Sequence, residues 1–412
     1  MEVIMKKFTV LLILMAMLGG MLAGCGGGTA PAPTPATPPA QPGDSAPDDD
    51  TPTQPGDSAN QTTFGIEPLQ NRTTLSVGYF SGAMHSLPFY IMDEMGWIDE
   101  LNIDFTYQSF IVGPAMMEAN ASWDIASAGA PGALVGILGF DIQVLGIADL
   151  EAVLNLYVRE DSPIAQAGQG NFPGFPQMYG TVDAWRGTEW LLPIGTTMHQ
   201  TLVTVLEQIG LTADDVTMIN MDVTTALTAF IGGAGDGLAV WTSTALAAEQ
   251  EGFIKAGGAD DNGVVVPTAF LATDRVLADA QRLEAVTKVW ELYFRTMDWI
   301  IANLEDAAHF YAESAAIEGV SGADDFELSY ATLLRFNPYG LNDQLELMTT
   351  TGNDPAGLAA RPLSGGEIDL FNTLDFFITQ DRYSNDERNF IIDNNKVSSV
   401  VAQQVAESIA AR

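Results

Sequence analysis

The stretch "EWLLPIGTTMHQTLVTVLEQIG", Glu189–Gly210, decides the fold, because it joins a short apolar run, a small polar loop and an amphipathic pattern. Trp190–Ile194 predicts a strand. Apolar residues then recur at spacings of three and four, which predicts a helix that stops at Gly210. Those apolar positions are Leu202, Val205, Leu206 and Ile209. A strand, a loop and a helix in this order form the repeating unit of α/β proteins.

The same unit recurs on both sides of this stretch, with Gly, Thr, Ser or Asp at the start of the following helix. The other predicted strands are Leu75–Phe80, Ile103–Ser109, Trp123–Gly129, Ile142–Ile147, Leu154–Val158, Val216–Met221 and Leu238–Trp241. From Thr268 onward the pattern changes to long helices, whose aromatic stripe we expect to cover the first domain. The segment from Leu363 to the C-terminus predicts further helix with a polar, frayed end.

The candidate binding residues lie where predicted strands run into helices, because parallel sheets bind ligands at the carboxyl ends of their strands. Glycine there permits close backbone approach, and a helix N-terminus offers unpaired amides and partial positive charge. The candidates are Tyr79, Phe80, Ser81, His85, Gly129, Ala130, Gly195, Thr196, Thr197, His199, Asp222, Trp241 and Thr242.

Each candidate also has a purely structural interpretation. Thr196 or Thr197 could cap its own helix instead of holding an anion, and Asp222 could be an N-cap instead of a partner for an amine. The aromatic candidates could pack under the loops rather than stack on a solute. If either histidine binds an anion as imidazolium, affinity should weaken as pH rises through its pKa.

None of the loops that hold these candidate residues contains Lys or Arg. Arg159 and Arg275 are the nearest cations along the chain. A strongly anionic solute would therefore depend on amides, hydroxyls and histidine, and a zwitterion or a neutral heterocycle suits these loops better than it would suit a site with a fixed guanidinium.

The composition fits a folded, exported protein of 412 residues, 47% of them hydrophobic. The 53 acidic and 16 basic residues give a net charge of -37, which argues against nucleic-acid binding. Lys6 and Lys7 precede an apolar run that ends in "LAGC", Leu22–Cys25, which resembles a bacterial lipobox. We therefore expect a signal peptide over 1–24, a lipid on Cys25 and a disordered tether over 25–61.

The chain resembles the substrate-binding proteins of ABC importers for nitrate, taurine and aliphatic sulfonates. The segments that carry the resemblance are "VGYFSGAMHSLPFYIMDEMGWID", "SWDIASAGAPGALVGI", "LYVREDSPI", "WRGTEWLLPIGTTMHQTLVTVLEQIGLTADDVTMINM" and "ALTAFIGGAGDGLAVWTSTALAAEQEG". The resemblance implies two α/β lobes of doubly wound parallel sheets, with the type II periplasmic-binding-protein fold, joined by a two-stranded hinge.

The implied domains are a first lobe over 62–158, a second lobe over 159–267, and a return to the first lobe with C-terminal helices over 268–412. The hinge is expected near 158–164 and 263–272. The resemblance also implies a monomeric binding component outside the cytoplasmic membrane, which delivers a small solute to an ABC permease and its ATPase. It implies no catalytic activity, no cofactor and no metal.

Other functions remain open at this stage. A related branch of the superfamily binds pyrimidine-type thiamine precursors; its enzymes use an iron site with clustered cysteines, whereas Cys25 is the only cysteine here. A hydrolase lacks support, since the sequence has no G-x-S-x-G elbow, no H-E-x-x-H and no P-loop. A receptor that binds a metal through His85 and His199, and a surface protein with a sensory or adhesive role, are further alternatives.

Overall fold

The computed structural model describes residues 62–80, 82–317 and 325–412. The expected signal peptide, Cys25, the tether over 25–61 and Ser81 lie outside the described residues. No helix among the described residues has the length and apolar character needed to cross a membrane.

The fold contains two five-stranded sheets of the same topology, and the α/β class is confirmed. The first sheet has the strand order β2-β1-β3-β10-β4 and the second the order β7-β6-β8-β5-β9. Within each sheet one strand runs antiparallel to the other four: β10 in the first and β5 in the second. A short pair, β11 and β12, lies apart. The strands are β1 (Thr73–Phe80), β2 (Ile103–Phe110), β3 (Ile125–Gly129), β4 (Ile142–Leu150), β5 (Leu154–Val158), β6 (Glu189–Leu192), β7 (Thr217–Asn220), β8 (Gly237–Trp241), β9 (Ile254–Gly258), β10 (Pro267–Thr273), β11 (Thr351–Gly352) and β12 (Leu363–Ser364).

The helices follow the strands as the sequence pattern predicts, and several begin at the small polar loops. Those that connect strands are α1 (Leu87–Glu94), α2 (Trp97–Glu100), α3 (Gly113–Glu118), α4 (Ala130–Gly139), α5 (Pro163–Gln166), α6 (Val182–Trp185), α7 (Thr197–Gln208), α8 (Val223–Ile231), α9 (Thr242–Gln250) and α10 (Ala259–Asn262). Those after the last long strand are α11 (Asp274–Leu277), α12 (Ala280–Ala302), α13 (Leu304–Ile317), α14 (Phe326–Leu333), α15 (Leu341–Thr349), α16 (Gly365–Thr379), α17 (Asn385–Asp393) and α18 (Val400–Ala411).

The chain crosses between the sheets earlier than the sequence predicts. β5 was expected to close the first lobe, but it pairs with β8 and β9 of the second sheet. The first crossing is therefore the short segment 151–153, and the return runs over 259–266 into β10. Local alternation cannot distinguish these positions, because a buried apolar strand suits the centre of either sheet.

The core consists of two hydrophobic clusters. The larger includes the aromatic stripe of α12, is centred on the first sheet and extends to residues of the second such as Phe230 and Leu238, whereas the smaller belongs to the second sheet alone. Trp290 and Phe294 of α12 are fully buried against β4. The Trp290 indole donates a hydrogen bond to the Leu145 carbonyl at 3.0 Å. A Cβ on Gly146 would lie 3.0 Å from the Phe294 ring, so the glycine lets the helix approach the strand. The expectation that the late helices cover the first sheet is confirmed.

The C-terminal segment is helical from Gly365 onward as predicted, but its end is not frayed. It forms three helices, α16, α17 and α18, and the last residue is anchored. Arg412 donates to the buried carboxylate of Glu291, with Nη2 2.6 Å from Oε2. The reason is electrostatic: a buried carboxylate needs a cation, and the chain terminus supplies it.

Candidate functional site

A cleft of about 470 Å³ lies where the carboxyl ends of parallel strands from both sheets meet. Strands β1, β2, β3 and β4 lead into one side, and β6, β7 and β8 into the other. The residues that line it are Phe80, Gly82, Ala83, His85, Phe110, Ile111, Val112, Gly113, Pro114, Gly129, Pro131, Gly132, Glu151, Thr196, Thr197, Asp222, Val223, Thr224, Thr225, Trp241, Thr242 and Thr244. Eight of the predicted residues are among them.

Four helix N-termini that border the cleft have no side-chain cap. The N-cap residues Val112, Gly129, Thr196 and Trp241 make no capping hydrogen bond to the first turns of α3, α4, α7 and α9. Apart from the Thr242 amide, which donates to the Val153 carbonyl, and the positions of Pro114 and Pro131, which have no N–H, the first-turn amides and the positive ends of these helix dipoles are therefore left to a solute or to water. This arrangement suits hydrogen-bond acceptors and partial or full negative charge.

The threonines before α7 do not act as its caps. The hydroxyl of Thr196 donates to the carbonyl of Pro193 at 2.6 Å, and both Thr196 and Thr197 are buried. The Thr197 hydroxyl hydrogen-bonds the side chain of Glu151. The capping interpretation thus fails for Thr196, because its hydroxyl turns back to the preceding loop.

Asp222 does act as an N-cap. Its Oδ1 accepts from the Thr225 amide at 3.0 Å and its Oδ2 from the Thr225 hydroxyl at 2.6 Å. Although partial burial opposes it, these hydrogen bonds lower the pKa of Asp222, so the carboxylate is charged at neutral pH. The residue adds negative charge to the cleft, while both of its oxygens are already occupied.

Thr242 holds a strained backbone conformation at the start of α9. Its φ is +47°, a region that β-branched residues rarely adopt. Its amide donates to the Val153 carbonyl at 2.9 Å, in the first crossing segment. The half-buried Trp241 precedes it on the cleft wall. Strain of this kind persists only where the surroundings fix it, and it is frequent at ligand sites.

His85 lines the cleft as a neutral imidazole. Its Nδ1 lies 2.8 Å from the Ser127 hydroxyl, and the residue is buried beside Phe80. Burial lowers the pKa of His85 to about 3. The expectation that His85 could hold an anion as imidazolium does not apply at ordinary pH, because burial disfavours the charged form of the ring.

Glu151 is a buried acid at the floor of the cleft. It follows β4 in the first crossing segment, where its amide donates to the Val266 carbonyl of the return segment at 2.9 Å. Its Oε2 is buried and has no hydrogen-bond partner among the described residues. Burial and the charge of nearby Asp149 raise the pKa of Glu151 well above its usual range, although the Thr197 hydroxyl partly opposes this.

No lysine or arginine belongs to the part of the cleft wall that the structure describes. Arg159 instead donates to the carbonyls of Phe230, Ala234 and Gly235. Arg275 pairs with Asp124, which sits at the start of β3 rather than at its carboxyl end. The two cations that are nearest along the chain are therefore used elsewhere.

Four predicted residues are not on the cleft wall. Tyr79 lines a neighbouring pocket of about 290 Å³, and Ala130 is buried at the start of α4.

Gly195 has φ +81°, and a Cβ there would lie 2.8 Å from Arg382 Nη1. His199 is partly buried against Phe376 and Phe377, and burial, followed by the charge of Arg382, lowers its pKa. Sequence alone does not show that the loop after α16 occupies this side of the Gly195 loop.

Sequence reasoning missed two parts of the cleft. The loop 110–114 after β2 was not counted among the binding loops. Glu151 was missed because β4 was predicted to end at Ile147, whereas it extends to Leu150. A longer strand would have placed Glu151 at a carboxyl end.

Among the described residues, no group of three or more His, Cys, Asp or Glu is arranged to hold a metal ion.

No protein-family model matches this sequence, and no curated protein sequence matches it. Solved structures do match its fold. The alkanesulfonate-binding protein SsuA from Xanthomonas axonopodis pv. citri, bound to MOPS, is 20% identical with a TM-score of 0.57, over 76% of this chain and 94% of that one. The periplasmic nitrate-binding protein NrtA from Synechocystis PCC 6803 is 12% identical with a TM-score of 0.56, over 84% and 91%.

The periplasmic aliphatic sulphonate-binding protein SsuA from Escherichia coli is also similar, with 20% identity and a TM-score of 0.52 over 65% of this chain and 84% of that one. At these identities the likeness concerns the fold. The family resemblance noted in the sequence is matched by these neighbours, and the chain has the two-sheet fold of periplasmic solute-binding proteins of ABC importers.

Proposed function

We propose that this protein is the non-enzymatic solute-binding component of an ABC importer and that it captures a small solute in the cleft between its two sheets. The observation that carries the proposal is the set of four uncapped helix N-termini, from both sheets, around one cleft. Amides fixed in this way bind a small acceptor group from two sides at once, without supplying a nucleophile or a general base.

Two short crossings, 151–153 and 259–266, join the two sheets, and we take them as the hinge. A solute held by amides of both sheets would favour a closed form, which a permease and its ATPase could distinguish from the open one. We further propose a monomer on the outer face of the cytoplasmic membrane, held by a lipid on Cys25 and the tether over 25–61. Because β5 packs in the second sheet and β10 in the first, the proposed lobes are 62–150, 154–258 and 267–412, instead of the expected 62–158, 159–267 and 268–412.

The solute classes favoured by the fold neighbours are sulfonates and nitrate, and taurine and pyrimidine-type thiamine precursors follow from the sequence resemblance. A sensory or adhesive surface role is the alternative that needs no solute transport. Loss of uptake on deletion of a permease that this protein serves would argue against that alternative.

The test is a thermal unfolding series on the full-length chain at constant ionic strength, with nitrate, taurine, alkanesulfonates, small carboxylates, amino acids and pyrimidine precursors. A solute at 100 times its Kd stabilises the folded state by about 2.7 kcal/mol, so Tm should rise by several degrees for one class. Because Trp241 lines the cleft, the same solute should change its fluorescence, and Trp241→Phe should remove that change. A series without any shift would count against solute capture.

A further inference from the structure

We propose that Glu151 recognises a protonated nitrogen of the solute, so that the cleft selects solutes that carry an amine over those that lack one. This inference rests on the proposed solute-binding function and names the chemistry of its site. It departs from a simple anion receptor, the function that the sulfonate- and nitrate-binding neighbours suggest by their names.

The first argument is the unused acceptor. Glu151 lines the cleft, and its Oε2 is buried and has no hydrogen-bond partner among the described residues. Once the group ionises, a buried carboxylate oxygen without a donor costs about 1–3 kcal/mol or more, so the ionised form calls for a donor that arrives from outside. A protonated nitrogen is the donor that best offsets the loss of hydration.

The second argument is how closely the surroundings approach the carboxyl group. The position of a Cβ on Gly129 would lie 3.6 Å from Glu151 Oε2, an ordinary contact distance, so the end of β3 lies directly beside this oxygen. Thr197 approaches from the other sheet and hydrogen-bonds the same carboxyl group. Glu151 is thus held between the two sheets, where closure would bring a solute.

The third argument is the charge of the cleft. Its titratable lining side chains are Glu151, Asp222 and His85, and His85 is neutral. The uncapped helix N-termini, two of which begin beside Glu151 at Gly129 and Thr196, offer partial positive charge in the same cleft. A solute with an acceptor at one end and a protonated nitrogen at the other matches both features.

Several groups face Glu151 or its neighbour Asp149, and they determine the sign of the pH effect. Asp149 lies two residues earlier and accepts from the Thr268 hydroxyl, and Tyr293 of α12 and Tyr339 lie close enough to feel its charge. Asp222 is charged and His85 is not. All the charged members of this set are negative, so the empty cleft favours a proton on Glu151, in agreement with its raised pKa.

Binding of a protonated nitrogen would reverse that preference and release the proton from Glu151. Affinity should therefore rise with pH until pH exceeds the raised pKa of Glu151 in the empty protein. A neutral solute that accepts a hydrogen bond from protonated Glu151 would show the opposite trend.

The test uses matched pairs of probes on the full-length chain by isothermal titration calorimetry: taurine with ethanesulfonate, β-alanine with propionate, and 4-aminopyrimidine with pyrimidine. We expect only amine-bearing members to bind, with proton release that depends on the buffer. Glu151→Gln should weaken that binding by at least about tenfold and abolish the proton release. Glu251→Gln removes a carboxylate from an exposed position outside the cleft and should change neither.

Three results would count against the inference, and they are distinguishable. Equal binding of both members of a pair would overturn it and leave the proposed function standing. Binding of an amine-bearing member that survives Glu151→Gln unchanged would overturn the role of Glu151 alone. No binding by any of the six probes would contradict solute capture as proposed, and the inference with it.

Discussion

Gly129 and Thr197 touch across the cleft: a Cβ placed on Gly129, at the end of β3, would lie 2.7 Å from Thr197 Cγ2, at the start of α7. The two residues belong to different sheets. Gly129 has φ -57° and ψ 147°, which any residue can adopt, so the glycine is required by this contact and not by the backbone conformation.

Gly129→Ala should therefore separate the two sheets at this contact and weaken solute binding by at least about tenfold, while overpacking lowers stability by about 1–3 kcal/mol. Affinity is measured by calorimetry with the solute that raises Tm most, and stability by urea unfolding. Gly139→Ala is the matched control, since nothing lies within 4 Å of a Cβ at that position. Equal affinity in both variants would show that the contact does not limit binding.

The pH dependence of stability should carry a contribution from Asp149. Burial raises the pKa of Asp149 to about 7, although the Thr268 hydroxyl partly opposes this. Between about pH 4 and pH 7 the folded protein keeps a proton that the unfolded chain has lost, so the free energy of unfolding falls as pH rises. The slope from this one group approaches about 1.4 kcal/mol per pH unit in that window.

Asp149→Asn should flatten this slope, and urea unfolding at intervals from pH 4.5 to pH 7.5 measures it. The exposed Asp141, just before β4, provides the control as Asp141→Asn. Identical slopes in the wild type and Asp149→Asn would mean that the carboxyl group is ionised in the folded state throughout this range.

Replacement of the strained Thr242 by glycine should raise the stability of the protein and lower its affinity for the solute. Thr242→Gly relieves a left-handed conformation that costs a β-branched residue about 1–2 kcal/mol, so the variant should unfold at a higher temperature. It also removes a side chain from the cleft wall, so solute affinity should fall. Thr242→Ser, which keeps the hydroxyl and the strain, should retain binding. A less stable Thr242→Gly protein would show that the conformation is not a source of strain.

The buried carboxylate of Asp124 ties the returning chain to the first sheet. It pairs with Arg275 Nη2 at 2.8 Å and with Arg282, and it accepts from the Ser76 amide at 2.9 Å. Asp124→Ala should cost about 1–3 kcal/mol of unfolding free energy, because it removes an acceptor from the Ser76 amide and from two partly exposed guanidinium groups.

The comparison for that variant is Arg72→Ala, which breaks the exposed ion pairs of Arg72 with Asp99 and Asp104. Screening by water makes such pairs weak, so Tm should barely change. Urea unfolding of both variants tests the contrast; similar losses in the two would contradict a structural role for the Asp124 cluster.

The sequence by itself determined the strand–loop–helix units of this protein. It also determined that the binding residues lie at the carboxyl end of the strand in each unit. Apolar periodicity is a local property, so the strand before α7, the helix itself and its stop at Gly210 could be predicted without tertiary information. The rule that ligands bind at carboxyl ends of strands then selected Thr196, Thr197, Asp222, Trp241 and Thr242, all of which lie on the cleft wall.

Only the tertiary structure decided which loops meet at the cleft and how burial shifts the pKa values of the titratable groups in it. β5 looks like any buried strand, and its partners in the second sheet follow from long-range pairing that no local pattern encodes. Gly195 and His199 belong to the predicted loop but face Arg382 and Phe377, which lie far along the chain. Burial keeps His85 neutral, and burial together with the charge of Asp149 raises the pKa of Glu151; both effects arise from packing, since the sequence alone does not state which groups lose their water.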